Sequence, residues 1–404
     1  MAQQRELGIA TRLVHAGERV PPPTGQPTVT PVYTTSTYVH ASARELDAAF
    51  AAGVQPVYAR NQNPTVTQVE AAMTNIECGA GAAMFASGMA AIHAALLAAG
   101  TPEGATQPRL RGIVCGRDLY GATTTMLEQF MPALGITVKA VDMCDLEAVE
   151  RVVLEQQPNV MFVEQLSNPL LRVIDVAALA RMAHANDARL VVDNTFATPL
   201  LEQPLVLGAD FAVHSATKYL GGHGDVTGGA VVARSQPGYE ALRRYLKLLG
   251  PILGPYEAAL VGRGIKTLGL RFERQCANAA RIADVLQRHP CVQRVHFPGL
   301  VDHPQHELAA RCFGGRFGAM VSFELRDANQ SATCRVMDAF ELIWPATSLG
   351  DVYTLVTAPF ISSHRDLSPE ERLQRSIPDG LLRLSVGIED ARDIECDLEQ
   401  ASAR

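Results

Sequence analysis

One lysine sits where its chemistry would change. Lys218 follows the apolar run Phe211-Ala-Val-His214 and precedes Tyr-Leu-Gly-Gly-His-Gly-Asp225. A lysine just beyond a buried strand is desolvated, which lowers its pKa and favours the free amine needed to form an imine. Ser215 and Thr217 flank it with hydroxyls suited to a phosphate. Gly221, Gly222, Gly224, Gly228 and Gly229 let main chain come close. A second candidate is Asp193, which closes the run Arg189-Leu-Val-Val-Asp193. A buried acid is costly without a partner. A protonated pyridine nitrogen would be one, while a helix N-cap is the ordinary alternative. Third, Ser87-Gly88-Met89 opens an alanine-rich stretch. A capping serine and a small residue there would leave first-turn N–H groups free for an anion. Finally, Tyr120 follows the run Gly112–Cys115. It could stack on a ring and carry a proton, or simply pack in the core.

Other chemistries fit less well. Ser215-Ala-Thr-Lys218 matches the S-x-x-K pattern of serine acyl-enzymes, but Ser-Asp-Asn is missing and Lys266-Thr267 is followed by Leu268 rather than glycine. Neither a Walker P-loop nor G-x-G-x-x-G occurs, so nucleotide binding is not expected. His303-Pro-Gln-His306 is the close histidine pair, and its proline argues against a helical metal face, so a surface loop is expected there. Eight cysteines are scattered without a C-x-x-C pair, which predicts mostly buried free thiols in a reducing cytosol and no metal. The net charge of −7 argues against a nucleic-acid footprint. Met1–Glu6 has no apolar segment of a signal peptide, and the apolar stretch Gly88–Gly100 is too short to span a bilayer, so a soluble cytoplasmic protein is expected.

The elements that must place these residues can be read in outline. The chain has 404 residues, 47% of them apolar, enough for two or three domains. Strands are predicted over Gly112–Cys115, Val160–Glu164, Arg189–Asp193, Phe211–His214 and Gly229–Val232. Helices are predicted over Leu146–Gln157 and Val176–Ala185, and Gly88–Gly100 reads as a buried helix. Near-continuous apolar strands separated by helices predict an α/β fold with a mostly parallel sheet covered on both faces. The proline-rich start, with Pro21, Pro22, Pro23, Pro27 and Pro31, suits an extended arm. Beyond about Val261 a helix over Arg271–Arg288, strands near Val292–Phe297 and Ala319–Glu324, and a polar tail predict a smaller α+β domain. The expected division is an arm at 1–62, a cofactor-binding domain at 63–260 and a C-terminal domain at 261–404.

Six segments, in order, resemble the Cys/Met-metabolism family of pyridoxal-phosphate (PLP) enzymes. They are Tyr58-Ala-Arg60-Asn-Gln-Asn-Pro-Thr65, Ser87-Gly-Met-Ala-Ala-Ile92, Val192-Asp-Asn-Thr-Phe196, Ser215–Asp225, Arg263-Gly-Ile-Lys-Thr-Leu268 and Arg383-Leu-Ser-Val-Gly-Ile-Glu389. The resemblance runs from about Thr11 to Gln400. It implies the type I PLP-dependent transferase fold with a seven-stranded sheet. By position, it implies that Lys218 holds the cofactor as a Schiff base and Asp193 pairs with the pyridine nitrogen. Ser87, Gly88, Met89, Ser215 and Thr217 would hold the phosphate, which Tyr58 and Arg60 would reach from a neighbouring subunit of a homotetramer built as a dimer of dimers. Tyr120 would stack on the ring and act as general acid. Arg383 would grip an amino-acid carboxylate, helped by Asn168 and Ser348.

Departures from the family pattern narrow the expected reaction. Members handling cystathionine typically carry arginine where this chain has Thr125, and cystathionine γ-lyases often have glutamate where it has Thr347. A neutral threonine cannot replace a charge-assisted contact, which favours a small uncharged γ-group such as that of methionine. Typical methionine γ-lyases, however, carry cysteine at Ala122 and a Lys-Asp pair at Leu246-Lys247. The expectation is γ-elimination on methionine or a related sulfur amino acid such as cystathionine, with γ-replacement on an O-acylhomoserine as runner-up. A PLP-fold protein with only a regulatory role would be expected to lack Lys218, Asp193 or Arg383, and all three are present.

Overall fold

Runs in which every residue is apolar require a sheet covered on both sides. In the computed structural model, which describes residues 7–15, 27–53 and 55–402, largely apolar runs form the centre of a seven-stranded sheet. Its strands are β1 (Gly81–Phe85), β2 (Gly112–Gly116), β3 (Thr137–Val141), β4 (Val160–Glu164), β5 (Arg189–Asp193), β6 (Phe211–Ser215) and β7 (Gly229–Ala233). The order is β1-β7-β6-β5-β4-β2-β3, with β7 antiparallel to both neighbours and the remaining pairs parallel. The α/β class and the mostly parallel sheet are as expected. Two strands escaped the sequence reading. The first, Gly-Ala-Ala-Met-Phe, lacks β-branched residues. The other, β3, is a half-exposed edge without the continuous apolar run of its neighbours.

The alternation of strand side chains splits the core into two layers. Phe85, Phe162, Val191 and Phe211 face the buried helix Gly88–Ala99. Met84, Val163, Leu190 and Val192 face the helices Pro64–Ile76 and Pro255–Arg288. A second sheet, in the order β10-β11-β12-β9-β8, has its own core around Val321, Phe323, Val356 and Leu384. Its strands are β8 (Val292–His296), β9 (Met320–Leu325), β10 (Trp344–Pro345), β11 (Leu355–Thr357) and β12 (Leu381–Ser385).

The helix expected from Arg271 starts sixteen residues earlier, at Pro255, and crosses residue 261 without a break. Gly262, Gly264 and Gly269 disguised its first half. At Gly264 the reason for glycine is steric: a Cβ there would sit 2.3 Å from the carbonyl oxygens of Leu220 and Gly221. Arg271, two turns further, donates Nη2 to the carbonyls of Tyr219 (2.9 Å) and Gly264 (2.8 Å). The long helix thus clamps the turn that carries Lys218.

In the N-terminal arm Pro21–Pro23 lie outside the described residues. Its described residues are less extended than anticipated, since Ala43–Ala52 form a helix capped by Ser42, whose Oγ accepts the Glu45 N–H. The surface loop expected at His303 and His306 also needs correction. His303 is buried, and His306 opens a short helix and stacks on Phe317. Both rings are absorbed by packing, and among the described residues no group of His, Cys, Asp and Glu is arranged to hold a metal.

Gly264→Ala should cost about 1–3 kcal/mol of stability, the usual range for overpacking. Urea unfolding measures it; a variant as stable as the parent would contradict the clamp.

Candidate active site

Parallel strands deliver their last residues to one edge of the sheet, where α/β proteins place ligands. Here β4, β5 and β6 end in Glu164, Asp193 and Ser215, all on the face covered by the helix Gly88–Ala99. They border a cavity of about 690 Å³, also lined by Ser87, Gly88, Met89, Tyr120, Asn168, Thr217, Lys218, Ser348 and Arg383. Eleven of the thirteen residues singled out from sequence therefore converge. Tyr58 and Arg60 do not line this cavity. The Arg60 guanidinium lies 5.6 Å from the centre of the Tyr58 ring and donates to the Lys247 carbonyl.

Lys218 sits in a turn closed by hydrogen bonds from Lys218 N to Ser215 O (3.1 Å) and from Gly222 N to Lys218 O (2.8 Å). Its Nζ donates to Ser348 Oγ at 3.1 Å. Burial, reinforced by the Arg383 charge and opposed by Asp351, pushes the amine down to about 8. At neutral pH a usable fraction is free base, as imine chemistry requires.

Asp193 is held from one side. Its Oδ1 accepts the Thr195 N–H (2.9 Å) and the Thr195 hydroxyl (2.5 Å), while the same Thr195 Oγ1 accepts the Ser215 N–H (2.8 Å). Burial raises its pKa, and the Thr195 donors and His214 work against that rise. This carboxylate could face a protonated ring nitrogen.

Ser87 caps the helix Gly88–Ala99, its Oγ accepting the Ala90 N–H at 3.2 Å. Ser215 crowds the first turn, where a Cβ on Gly88 would lie 2.9 Å from Ser215 Cβ. Thr217 Oγ1 is fixed by the Gly228 N–H at 3.0 Å. A helix N-terminus ringed by hydroxyls is a phosphate cradle. Across the cavity, Arg383 belongs to β12 of the second sheet and is buried. Its Nη1 donates to Asn168 Oδ1 (2.7 Å), its Nη2 points to Ser348 O (3.5 Å), and its Nε has no partner. Burial pushes it down to about 10. A buried guanidinium with a spare donor calls for an anion, and a carboxylate fits that fork. Cradle, amine, acid and orphaned Nε together fit PLP with an amino acid.

Several lining residues were not foreseen. Glu164, whose Oε1 accepts the Tyr120 N–H at 2.7 Å, closes the apolar strand β4 just as Asp193 closes β5, so the same signal could have found it. Thr195 and Phe196 lie in a segment whose Asp193 alone was weighed. Ile361, Ser362 and Ser363 come from a loop of the second sheet and carry no sequence signal; only tertiary packing brings them here. Of the specificity positions, Thr347 lines the cavity, whereas Thr125 is exposed and bonds back to Gly121 O.

Because the free amine of Lys218 increases as pH rises through its depressed pKa, aldehyde capture by the protein lacking cofactor should rise through about pH 8. Stopped-flow absorbance with added pyridoxal phosphate follows it; a midpoint at the ordinary lysine value would contradict this environment.

A sequence profile of the Cys/Met metabolism PLP-dependent enzymes matches residues 10–403. The L-methionine gamma-lyase of Pseudomonas putida is 41% identical over 398 residues, covering 98% of this chain and 97% of that protein. The cystathionine gamma-lyase of Bacillus subtilis strain 168 is 40% identical over 397 residues, covering 97% and 98%. Among solved structures, cystathionine gamma synthase from Xanthomonas oryzae pv. oryzae, in complex with aminoacrylate and cysteine, superposes with a TM-score of 0.90 at 35% identity, with 98% of each chain covered. The fold is thus the type I PLP-dependent transferase fold. Matched over nearly its whole length, the chain is an enzyme that belongs to the Cys/Met metabolism PLP-dependent family.

Proposed function

We propose that this enzyme catalyses γ-elimination on L-methionine or a related sulfur amino acid such as cystathionine, as a carbon–sulfur lyase releasing 2-oxobutanoate, ammonia and a thiol. The observation that carries this reading is the charge pattern of the cavity. Lys218 and Arg383 are the cationic side chains among those lining it, and Thr347, Ile361, Ser362 and Ser363 form a neutral stretch of wall. One cation serves the amine chemistry and one serves a carboxylate, which leaves none for a charged distal group. Methionine therefore ranks ahead of cystathionine.

When bound, PLP would supply the electron sink that lets an amino acid lose protons from its amino-bearing carbon and from the carbon next to it. The residues supply the rest. Ser87, Gly88, Met89, Ser215 and Thr217 would hold the phosphate, and Asp193 would hold the ring nitrogen. Lys218 would hold the cofactor, and its amine, pushed down to about 8, would serve as the base that takes the proton from Cα. Arg383, steadied by Asn168 with Ser348, fixes the α-carboxylate and so the orientation of the bonds that break. Tyr120, half-exposed in the cavity wall, would stack on the ring and protonate the departing thiolate.

The same reading assigns Tyr58 and Arg60 to the phosphate of a neighbouring subunit, in a homotetramer assembled as a dimer of dimers. Its support is the arm itself, which leaves Val29, Val39, Phe50 and Tyr58 exposed on one chain. The two separate sheets support residues 63–260 and 261–404 as cofactor-binding and C-terminal domains behind an arm at 1–62. Eight cysteines, all free, support a reducing compartment, the cytoplasm.

Purified protein should release 2-oxobutanoate from L-methionine, and more slowly from L-cystathionine, without an added thiol. Product formation only from O-acetyl-L-homoserine plus a thiol would replace elimination by γ-replacement. Lys218→Ala and Arg60→Ala should each be nearly inactive, yet regain activity when unfolded and refolded together, because each mixed dimer contains one intact site. Absence of recovery would sink the shared site.

A further inference from the structure

Strands β4 and β5 are parallel neighbours whose register pairs Glu164 with Asp193. Neighbouring strands lie about 4.8 Å apart, so two carboxyl groups leave the sheet side by side and both border the cavity. Their surroundings differ. Asp193 receives two hydrogen bonds from Thr195. The Glu164 carboxyl accepts one, from the main-chain N–H of Tyr120.

The charges facing Glu164 come from every element packed around it. Asp193 on β5 repels a second negative charge. So does Asp118 on the turn after β2, although Arg172 holds that group in an ion pair at 2.8 Å. Arg383 on β12 attracts, but its influence is the smallest of these, and its open donor is directed to a substrate carboxylate in the reading above. Burial is the largest influence, and with the repulsion from Asp193 it lifts Glu164 well above the usual carboxylate range. Two adjacent carboxylates in a low-dielectric site do not both ionise, and the one with more donors keeps the charge.

We propose that Glu164 is a further positioning residue of this active site: a neutral carboxylic acid that fixes Tyr120 through its main-chain N–H and leaves Asp193 as the single negative charge beside the cofactor ring. The assignment rests on the PLP reading of the cavity. A pyridinium carries one positive charge, and one carboxylate matches it. A second ionised group would be buried and uncompensated. The neutral state of Glu164 thus defines the charge of the site, and its oxygen defines where the turn bearing the tyrosine stands. That turn is pinned at both ends, by Arg172 on Asp118 and by Glu164 on Tyr120.

The test uses the holoenzyme. Glu164→Gln keeps the shape, the neutrality and the acceptor for Tyr120 N–H; Glu164→Ala removes all three. The Gln variant should retain kcat within about threefold, while the Ala variant should lose at least about tenfold in kcat with a smaller change in KM, the size of one lost hydrogen bond. Infrared spectroscopy should show a protonated-carboxyl stretching band in the parent that is missing from Glu164→Gln, a signal that a purely structural role would not produce. A Gln variant as impaired as the Ala variant, or a parent whose spectrum lacks that band, overturns the assignment. The visible band of lysine-bound cofactor is read in all three proteins. Its absence from the parent overturns the underlying reading and this one with it; its presence confines any failure to Glu164.

Discussion

The two-residue period of a β-strand is the constraint on which this site depends. At the ends of β4, β5 and β6 the chain carries polar residues in pairs: Glu164-Gln165, Asp193-Asn194 and His214-Ser215. Ladder hydrogen bonds continue past the last strand residues, from Gln165 N to Asp193 O (3.0 Å) and from Asn194 N to Val213 O (2.8 Å). One member of each pair must therefore face the cavity and the other must turn to the opposite face. Two of the rear members meet a buried acid. His214 Nε2 lies 2.6 Å from Glu77 Oε1, and Asn194 donates to the same oxygen at 3.2 Å. Polar groups on both sides of three buried strand ends are expensive to desolvate. They are tolerable here because His214 and Asn194 at the rear are paired within the protein and the front set borders a cavity that takes a charged ligand.

The second requirement is rigidity in the Lys218 turn. Glycines let it fold tightly, but glycines alone would leave it loose. The long helix removes that freedom by placing Gly264 against two carbonyls and Arg271 under a third. Arg271 is itself buried, and burial pushes it down to about 10. A group held at such cost is justified by the carbonyl oxygens it satisfies. The clamp joins the turn to the helix that continues into the second sheet.

The sequence disclosed this arrangement unevenly, and for physical reasons. The central strands were legible because burial on both faces demands unbroken apolar runs, and their terminal acid and lysine stood out against that background. β1 was hidden by its alanines, β3 by its exposure at the sheet edge and the start of the long helix by glycines needed for close packing. The helix Ala43–Ala52 was masked by the prolines and hydroxyl residues around it. Glu164 carried the same mark as Asp193 and was passed over because it lay outside any recognised segment. Ile361, Ser362 and Ser363 are the opposite case: nothing local distinguishes them, since their place in the cavity wall is set by how the second sheet packs on the first.

That wall has a consequence for how the enzyme can change. The cradle, the lysine and Asp193 all come from the first sheet, whereas Arg383, Ser348, Thr347 and the Ile361–Ser363 loop come from the second. A Cβ on Gly121 would lie 2.0 Å from Ser363 O, so the two units touch main chain to main chain beside Tyr120. Mutations in the second sheet can reshape the space offered to a side chain without disturbing the parts that retain the cofactor. New specificities are then reachable by small steps, each passing through a protein that still carries its prosthetic group.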